Sequence, residues 1–341
     1  MDLIELIKHM EEIKMNHYKN MKMGALKLVV LLVAGIGASS VFAQAYPNHT
    51  IKFVVPFPPG SATDTSARYF AKKLSEMVSQ PVMVDNKPGG NSFIAIQQVL
   101  NAPADGYTVF IGSNSPMAVN VAVFKSLPYD PVKDFKPLTM LTRVSNLFIV
   151  PDNSNFNNVS ELEAYAKEHP NTLNYCYGSA GYQLMAELFN QTANIKTMGI
   201  PYKGASECVT AVMTRSVDFA ILDITSAMEL AKSGKIKAIG VSSERRSPLL
   251  PNVPTIQESG VKDYTAYAWV SAAISAKTPP AETAVLAGYM TKIAELPETK
   301  AFYENMGAET MKGGPIEMAA FQKSEINLWK RVATTAKIEK Q

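Results

Sequence analysis

Short apolar runs alternate with helical stripes of apolar residues along the first half of the chain. The runs at 51–57, 81–85 and 107–112 have an extended pattern, whereas 64–78 and 92–100 repeat apolar residues every three or four positions. Alternation of this kind is typical of βαβ units, in which a helix connects two parallel strands. The pattern therefore predicts an α/β fold with mostly parallel sheets.

A similar pattern resumes after a long extended stretch, Leu138 to Val150, which ends at Pro151. Ser160 and Glu163 form a capping box, which predicts a helix with Ser160 as its N-cap. Further strands are expected at 173–177, before Pro201, at 217–224 and before Ser243, with helices near 182–193 and 205–214. A second extended stretch at 263–276 precedes three helices that end near residue 336.

The two extended stretches are long enough to carry the chain from one lobe to another and back. We expect residues 44–145 and 265–341 to form the first lobe and residues 146–264 to form the second. Two such crossings give a cleft that opens and closes by hinge motion. An N-terminal segment, residues 1–43, would then lie outside both lobes.

That N-terminal segment has the pattern of a cleavable secretory signal peptide. Residues 26–38 are apolar, lysines precede them, and small residues follow. The stretch is short for a membrane span, so we expect cleavage after Ala43 or Ala45 and a periplasmic location. An uncut membrane anchor is the alternative, and residues 1–20 are interpreted as an extension in front of the signal.

Composition and motifs exclude several classes of function. A formal charge of +3 and the absence of a basic run with interleaved aromatic residues argue against nucleic-acid binding. The four histidines, at positions 9, 17, 49 and 169, all lie away from the predicted strand-to-helix turns, so a histidine-based catalytic or metal site is not expected. No phosphate-binding or dinucleotide-binding glycine motif is present, and we expect no cofactor.

A turn after the first strand is the strongest candidate for a binding site. The apolar run ends at Pro58-Pro59-Gly60, and a helical pattern follows at once. This arrangement points the free N–H groups of a helix N-terminus into the cleft, where they suit an anion such as a carboxylate. Asp64 and Asp223 lie at predicted strand ends facing that cleft, as acid–base groups or as helix caps.

Two cysteines, Cys176 and Cys208, follow the predicted cleavage site. In an oxidising compartment they could form a disulfide, and otherwise they are two buried thiols that pack as small apolar groups. Both interpretations remain open from the sequence.

Several motifs occur in an order that resembles one known family. They are Val54 to Asp64, Asn86 to Gly90, Ala104 to Tyr107, Leu127 to Pro131, Pro201 to Gly204, Arg246 to Thr255, and Trp269. Together they resemble the periplasmic solute-binding receptors of tripartite tricarboxylate transporters, also called Bordetella uptake gene receptors. The resemblance covers essentially all of the chain after the signal.

The resemblance implies a two-lobed, type II-like periplasmic binding protein fold with a hinged cleft. It implies a monomer without enzymatic activity that closes over a small carboxylate and delivers it to the membrane permease subunits of a tripartite tricarboxylate transporter. Carried over residue by residue, the first-lobe ligand-binding residues are Gly60, Ser61, Ala62, Thr63, Asp64, Gly89, Gly90, Asn91, Ser113 and Asn114. The second-lobe residues are Ser179, Ala180, Gly181, Tyr202, Lys203, Gly204 and Asp223.

The second lobe departs from the family pattern. The loop from Tyr177 to Leu184 is shorter than usual, with Gln183 near the usual histidine and with Tyr177 and Tyr182 where small residues are common. This loop faces the variable part of the ligand, so the resemblance does not identify the ligand.

Two cations and two other functions are left as alternatives. Arg143 either pairs with a second ligand carboxylate or is a solvated charge at the hinge, and Lys203 either binds the ligand or faces solvent. The chain could also present its ligand to a signalling sensor. Less favoured is an enzyme on the same scaffold with Asp64 or Asp223 as its base.

Overall fold

The computed structural model describes residues 2–36 and 46–341. Helix α1, Leu3–Ile36, belongs to one unit of the chain, and residues from Tyr46 onward form another. Within the described residues, no helix combines the length and the apolar character needed to cross a membrane. The predicted cleavage sites after Ala43 and Ala45 lie outside the described residues, so the signal peptide stays a prediction.

Strands and helices alternate through the second unit. The strands are β1 (Ile51–Val55), β2 (Val82–Asn86), β3 (Thr108–Ser113), β4 (Phe135–Pro151), β5 (Asn174–Tyr177), β6 (Met198–Pro201), β7 (Phe219–Asp223), β8 (Ile236–Val241), β9 (Tyr267–Ser275) and β10 (Ala308–Thr310). The helices are α2 (Ala62–Val78), α3 (Phe93–Asn101), α4 (Asn120–Val123), α5 (Val159–Glu168), α6 (Ala180–Ala193), α7 (Ala205–Met213), α8 (Ile224–Lys232), α9 (Pro280–Glu295), α10 (Pro297–Glu304) and α11 (Pro315–Thr335).

The strands form two sheets that share the long strand β4. The first sheet has the order β2-β1-β3-β9-β4-β10, and the second has the order β6-β5-β7-β4-β8. In the first sheet β2, β1 and β3 pair in parallel, and in the second β6, β5 and β7 do so. Every pair that includes β4 or β9 is antiparallel. The sheets are thus mixed rather than mostly parallel, because the crossing strands join them in the opposite direction.

Strand β4 is one of the two predicted crossings. Its residues up to Ser145 pair with β9 and β10, and its residues from Asn146 onward pair with β7 and β8. Strand β9 starts at Tyr267, opposite Ser145. Strand β4 therefore runs from the first sheet into the second near residue 145, and β9 begins beside that point, which is the arrangement of a two-lobed α/β fold.

Strand β1 is buried on both faces of the first sheet. Its successive side chains point in opposite directions, and each face is covered by apolar residues. Phe53 and Val55 pack on the side of α2, with Phe70 and Leu74, and Val54 packs in the cluster that contains residues of α3. Strands covered on both faces carry continuous apolar runs. This burial explains why β1 is apolar at nearly every position.

One local prediction differs from the structure, and two short elements had no signal in the sequence. The N-cap of α5 is Asn158, whose side chain accepts a hydrogen bond from the Glu161 N–H at 2.9 Å, rather than Ser160. Asn158 and Glu161 have the same spacing as the capping box that starts at Ser160, and asparagine caps a helix as well as serine does. Strand β10 and the π-helix Ser115–Val119 were not predicted, since both are too short to show a periodic pattern.

Candidate functional site

Three helices begin at one small cavity between the lobes. It encloses about 20 Å³, which is room for about one water molecule. The polar and small residues that line it are Ser61, Ala62 and Thr63 at the start of α2, Ser113 and Asn114 after β3, Ser179 before α6, and Ala205 at the start of α7. Because helix N-termini carry positive partial charge, this convergence favours an anionic group.

The starts of these helices have free hydrogen-bond donors. The N–H groups of Ala62 and Thr63, the first two residues of α2, have no acceptor within the helix. Ser61 caps the next N–H, that of Asp64, at 3.2 Å. Helices α6 and α7 begin after Ser179 and Gly204, and neither residue forms a side-chain cap.

Asn114 adds a side-chain donor to the same cavity. It is only 3% exposed, and its Nδ2 atom has no hydrogen-bond partner among the described residues. Buried amides are nearly always hydrogen-bonded, so an unpaired one beside a cavity points to a bound acceptor. Asn114 and the helix termini therefore form one donor set.

A second cavity of about 190 Å³ continues from the first, since Phe57 and Ser179 line both. Its other polar or small lining residues are Gly89, Asn91, Ser92, Ser115, Asn120, Gly178, Ala180, Tyr202 and Lys203. The Oδ1 atom of Asn120 is buried and has no partner among the described residues. Lys203 is exposed and is the charged side chain of this lining.

The two lobes contact each other directly around these cavities. The Gly181 N–H of the second lobe donates to the Ser115 Oγ of the first at 2.9 Å. A Cβ atom at Gly204 would lie 2.9 Å from the Cδ atom of Pro58, closer than such atoms normally approach. Gly204 therefore permits the close approach of the lobes.

Asp64 is bonded to protein groups on both of its oxygens. Oδ2 accepts from the Gly60 N–H and the Arg68 Nε, both at 3.0 Å, and Oδ1 accepts from the Asn86 side chain at 2.9 Å. Burial would raise the pKa of Asp64, but the hydrogen bonds from Arg68, Gly60 and Asn86 outweigh it and hold the pKa below its usual value. Asp64 thus fixes the turn that starts α2.

Asp223 has a matching position in the second lobe. It is fully buried as the N-cap of α8, and its Oδ2 accepts from the Tyr182 hydroxyl at 2.5 Å. Its Oδ1 accepts from the hydroxyl of Thr225 and from the N–H and hydroxyl of Ser226. The Asp223 carboxylate therefore holds the Tyr182 ring, which lines the small cavity.

The structure brings most of the predicted site residues together. Those that line one or both cavities are Ser61, Ala62, Thr63, Gly89, Asn91, Ser113, Asn114, Ser179, Ala180, Tyr202 and Lys203. Those that lie next to the cavities without lining them are Gly60, Asp64, Gly181, Gly204 and Asp223. Gly90 begins the short 3₁₀ turn Gly90–Ser92 between β2 and α3.

Sequence reasoning missed several lining residues. Phe57 lies inside the Val54 to Asp64 motif but was not among the predicted ligand-binding residues. Asn120 carried no motif signal, and Ser115 begins a π-helix that no pattern revealed. Arg68 lies four residues after Asp64, which is the spacing of a helical ion pair, so that contact was detectable. Tyr182 was noted for its bulk, but its bond to Asp223 depends on residues 41 positions apart.

Arg143 lies outside both cleft cavities. Its guanidinium bonds to Glu309 at 2.7–2.8 Å and lies 4.6 Å from the Tyr267 ring centroid. It lines a larger cavity of about 790 Å³ between β10 and the loop after β8. No described residue that lines this larger cavity lines either cleft cavity, so Arg143 is a paired hinge residue rather than a ligand of the cleft.

Cys176 and Cys208 are buried free thiols in the structure. The Cys176 Sγ donates to the backbone oxygen of Cys208 at 3.5 Å, linking β5 to α7. The hydrogen bond with Cys176 and burial both raise the pKa of the Cys208 thiol. The structure thus shows the two buried thiols, and not the disulfide.

Comparison with known proteins identifies the family. The family model described as the tripartite tricarboxylate transporter family receptor matches residues 66–338. The chain belongs to this receptor family. It is 29% identical to Protein BugT of Bordetella pertussis over 316 residues, which cover 91% of this chain and 97% of BugT.

Two solved structures similar to this chain contain small carboxylates. R. palustris Rpa4515 with adipate is 31% identical, with a TM-score of 0.83, and the match covers 87% of this chain and all of that one. MatC from Rhodopseudomonas palustris with bound malate is 27% identical, with a TM-score of 0.79, and the match covers 84% of this chain and all of that one. The resemblance to a solute-binding receptor is therefore confirmed in family and in fold.

Proposed function

We propose that the chain is an extracytoplasmic solute-binding receptor that captures a small carboxylate between its two lobes. The observation that carries the proposal is the convergence of the N-termini of α2, α6 and α7 on a cavity beside the unpaired Asn114 Nδ2. Membership of the receptor family and the acids bound by its relatives support it. The cleavable signal peptide predicted before residue 46 supports a periplasmic location.

The contacts are sufficient for a reversible receptor. A hydrogen bond to a charged group contributes about 1.5–3 kcal/mol, and a helix terminus adds a few tenths to about 2 kcal/mol. Three or four such contacts, less the cost of ordering the ligand, give about −8 kcal/mol, which corresponds to a micromolar dissociation constant. Affinity of that order suits a protein that must release its cargo.

Binding is tested by thermal shift on the protein from residue 46 onward, unfolded and refolded to remove any bound solute. A ligand that binds the folded state raises the Tm. We expect a rise with at least one small carboxylic acid and none in Asn114→Asp, which places a negative charge in the cavity. Asn153→Asp, at an exposed loop position, is the matched control and should keep the rise. No rise with any acid would refute the proposal.

We propose further that the closed receptor delivers its acid to the membrane permease subunits of a tripartite tricarboxylate transporter. The family description supports this partner. Uptake of the labelled acid should fall in cells that lack the receptor and return when the wild-type chain, but not Asn114→Asp, is supplied. Presentation to a signalling sensor would instead leave uptake intact. An enzyme would return a changed acid after incubation with the protein.

A further inference from the structure

The cleft holds no anionic side chain for a positively charged ligand group. Among the described residues that line its two cavities, Lys203 is the charged one, and the others are apolar or carry neutral hydroxyl and amide groups. Glu207 follows Lys203 by four residues in the chain. Its carboxylate accepts a hydrogen bond from the Lys203 N–H at 3.2 Å and does not line either cavity. An ammonium group in the cleft would therefore meet a cation and no counter-charge.

The two acids closest to the cleft already have protein hydrogen-bond donors on both of their oxygens. The Asp64 carboxylate is paired with Arg68 and bonded to Gly60 and Asn86. The Asp223 carboxylate accepts a hydrogen bond from the Tyr182 hydroxyl on the cleft side, and it accepts others from the hydroxyls of Thr225 and Ser226. Tyr182 lines the small cavity, whereas Asp223 is fully buried and does not.

We propose that this receptor selects carboxylic acids that carry no ammonium group and rejects the corresponding amino acids. The inference rests on the proposed function, because it concerns the ligand of the same cleft. A buried ammonium without a counter-charge is strongly destabilised, and the nearby Lys203 opposes it further. The unpaired Asn120 Oδ1 is an acceptor for a ligand hydroxyl, so hydroxy acids fit the site, whereas a neutral amide oxygen supplies no counter-charge to an ammonium group.

Tyr182 is the residue that determines this selectivity. Its hydroxyl occupies the Oδ2 atom of Asp223, which is the carboxylate an ammonium group would otherwise reach from the small cavity. In Tyr182→Phe the ring remains but the hydroxyl is lost, so Oδ2 keeps the Ser226 hydroxyl as a donor and loses the donor from Tyr182. An ammonium group can then pair with Asp223, and the amino acid should gain affinity relative to the plain acid.

The test compares succinate, malate and aspartate by calorimetric titration of the protein from residue 46 onward. The three probes share a four-carbon diacid skeleton and differ at one substituent. We expect succinate or malate to bind at least about 100-fold more tightly than aspartate. In Tyr182→Phe this ratio of the two dissociation constants should fall by a factor of about ten or more. Tyr177→Phe, which removes a neighbouring hydroxyl that makes no bond to Asp223, should leave the ratio unchanged.

The outcomes separate this inference from the proposed function. Aspartate binding as tightly as succinate or malate would overturn the inference and leave the carboxylate receptor intact. If none of these probes and no other small acid binds, the proposed function itself fails. An unchanged ratio in a folded Tyr182→Phe, judged by Tm and circular dichroism, would remove Tyr182 from the selectivity. Should Tyr182→Phe not fold, the wild-type ratio alone still decides the ligand class.

Discussion

The Asp64 carboxylate and the Arg68 guanidinium make two contacts of 3.0 Å across one turn of helix α2. The same carboxylate bonds to Gly60 in the preceding turn and to Asn86 at the end of β2. Asp64 is 3% exposed, whereas the Arg68 side chain is 53% exposed, so the carboxylate is buried and the guanidinium reaches solvent. One acid therefore connects the turn, the helix start and the neighbouring strand that together form the first-lobe wall.

Replacing Asp64 by asparagine should destabilise the protein and weaken ligand binding. The amide has one acceptor oxygen, so it leaves Arg68 without its charge partner and at least one buried donor unpaired. We expect a loss of about 1–3 kcal/mol in the free energy of unfolding, measured by urea denaturation. Glu76→Gln, which removes an exposed ion pair of the same helix, should cost less than about 1 kcal/mol. Equal losses in the two variants would contradict the role given to Asp64.

The lowered pKa of Asp64 predicts a loss of stability in acid. Burial raises this pKa, but the hydrogen bonds from Arg68, Gly60 and Asn86 lower it by more than burial raises it. The folded-state pKa is therefore below the unfolded value of about 3.9. The stabilisation is complete above the unfolded pKa and disappears as the pH falls through the folded one. The Tm difference between wild type and Asp64→Asn should be constant above about pH 5 and shrink below about pH 4. Parallel Tm curves down to pH 3 would disprove this linkage.

Adding a methyl group at Gly204 should hold the lobes apart. Its Cβ would lie 2.9 Å from Pro58 Cδ and 3.2 Å from Cγ, and a proline ring cannot rotate out of the way. We expect Gly204→Ala to increase the radius of gyration in solution scattering. If the closed conformer falls to about a tenth of its population, the dissociation constant rises about tenfold.

Two further variants test whether the steric contact is the cause. Pro58→Ala removes the ring atoms, so the double variant with Gly204→Ala should recover most of the lost affinity. Gly288→Ala, in a helix with open space around the added methyl, should bind as wild type does. If the double variant does not recover its affinity for the ligand, the cause is a local change at the start of α7 and not the contact with Pro58.

Replacing Arg143 by methionine should leave the ligand preference unchanged. Arg143 is paired with Glu309 and stacked on Tyr267 in the cavity behind the hinge, away from the cleft. The loss of an ion pair that is about half exposed, together with one cation–π contact, should cost about 1 kcal/mol of stability. Titration with matched mono- and dicarboxylic acids checks this, and Glu309→Gln is the control for the pair. A selective loss of dicarboxylate binding would return Arg143 to the site.

The candidate site was predictable to the extent that it is made of backbone. The turns at Gly60, Gly89 and Ser179 are recognisable from proline, glycine and serine between apolar segments. The proposed anion contacts of their N–H groups do not depend on the identity of the side chains. The roles of Asp64 and Asp223 were not predictable in the same way. Whether a carboxylate faces a ligand or a protein donor depends on which side chains the fold brings beside it.

The sequence by itself determined the order of the longer elements, the two long extended stretches and the positions of the glycine-rich turns, because periodicity and turn chemistry act over a few residues. It did not determine the N-cap of α5, since Asn158 with Glu161 and Ser160 with Glu163 both have the spacing of a capping box. Only the tertiary structure decided that Tyr182 bonds to Asp223, that Arg143 faces the back of the hinge, and that Gly204 meets Pro58. These contacts join residues 41 to 166 positions apart, and their geometry exists only once the sheets have assembled around β4.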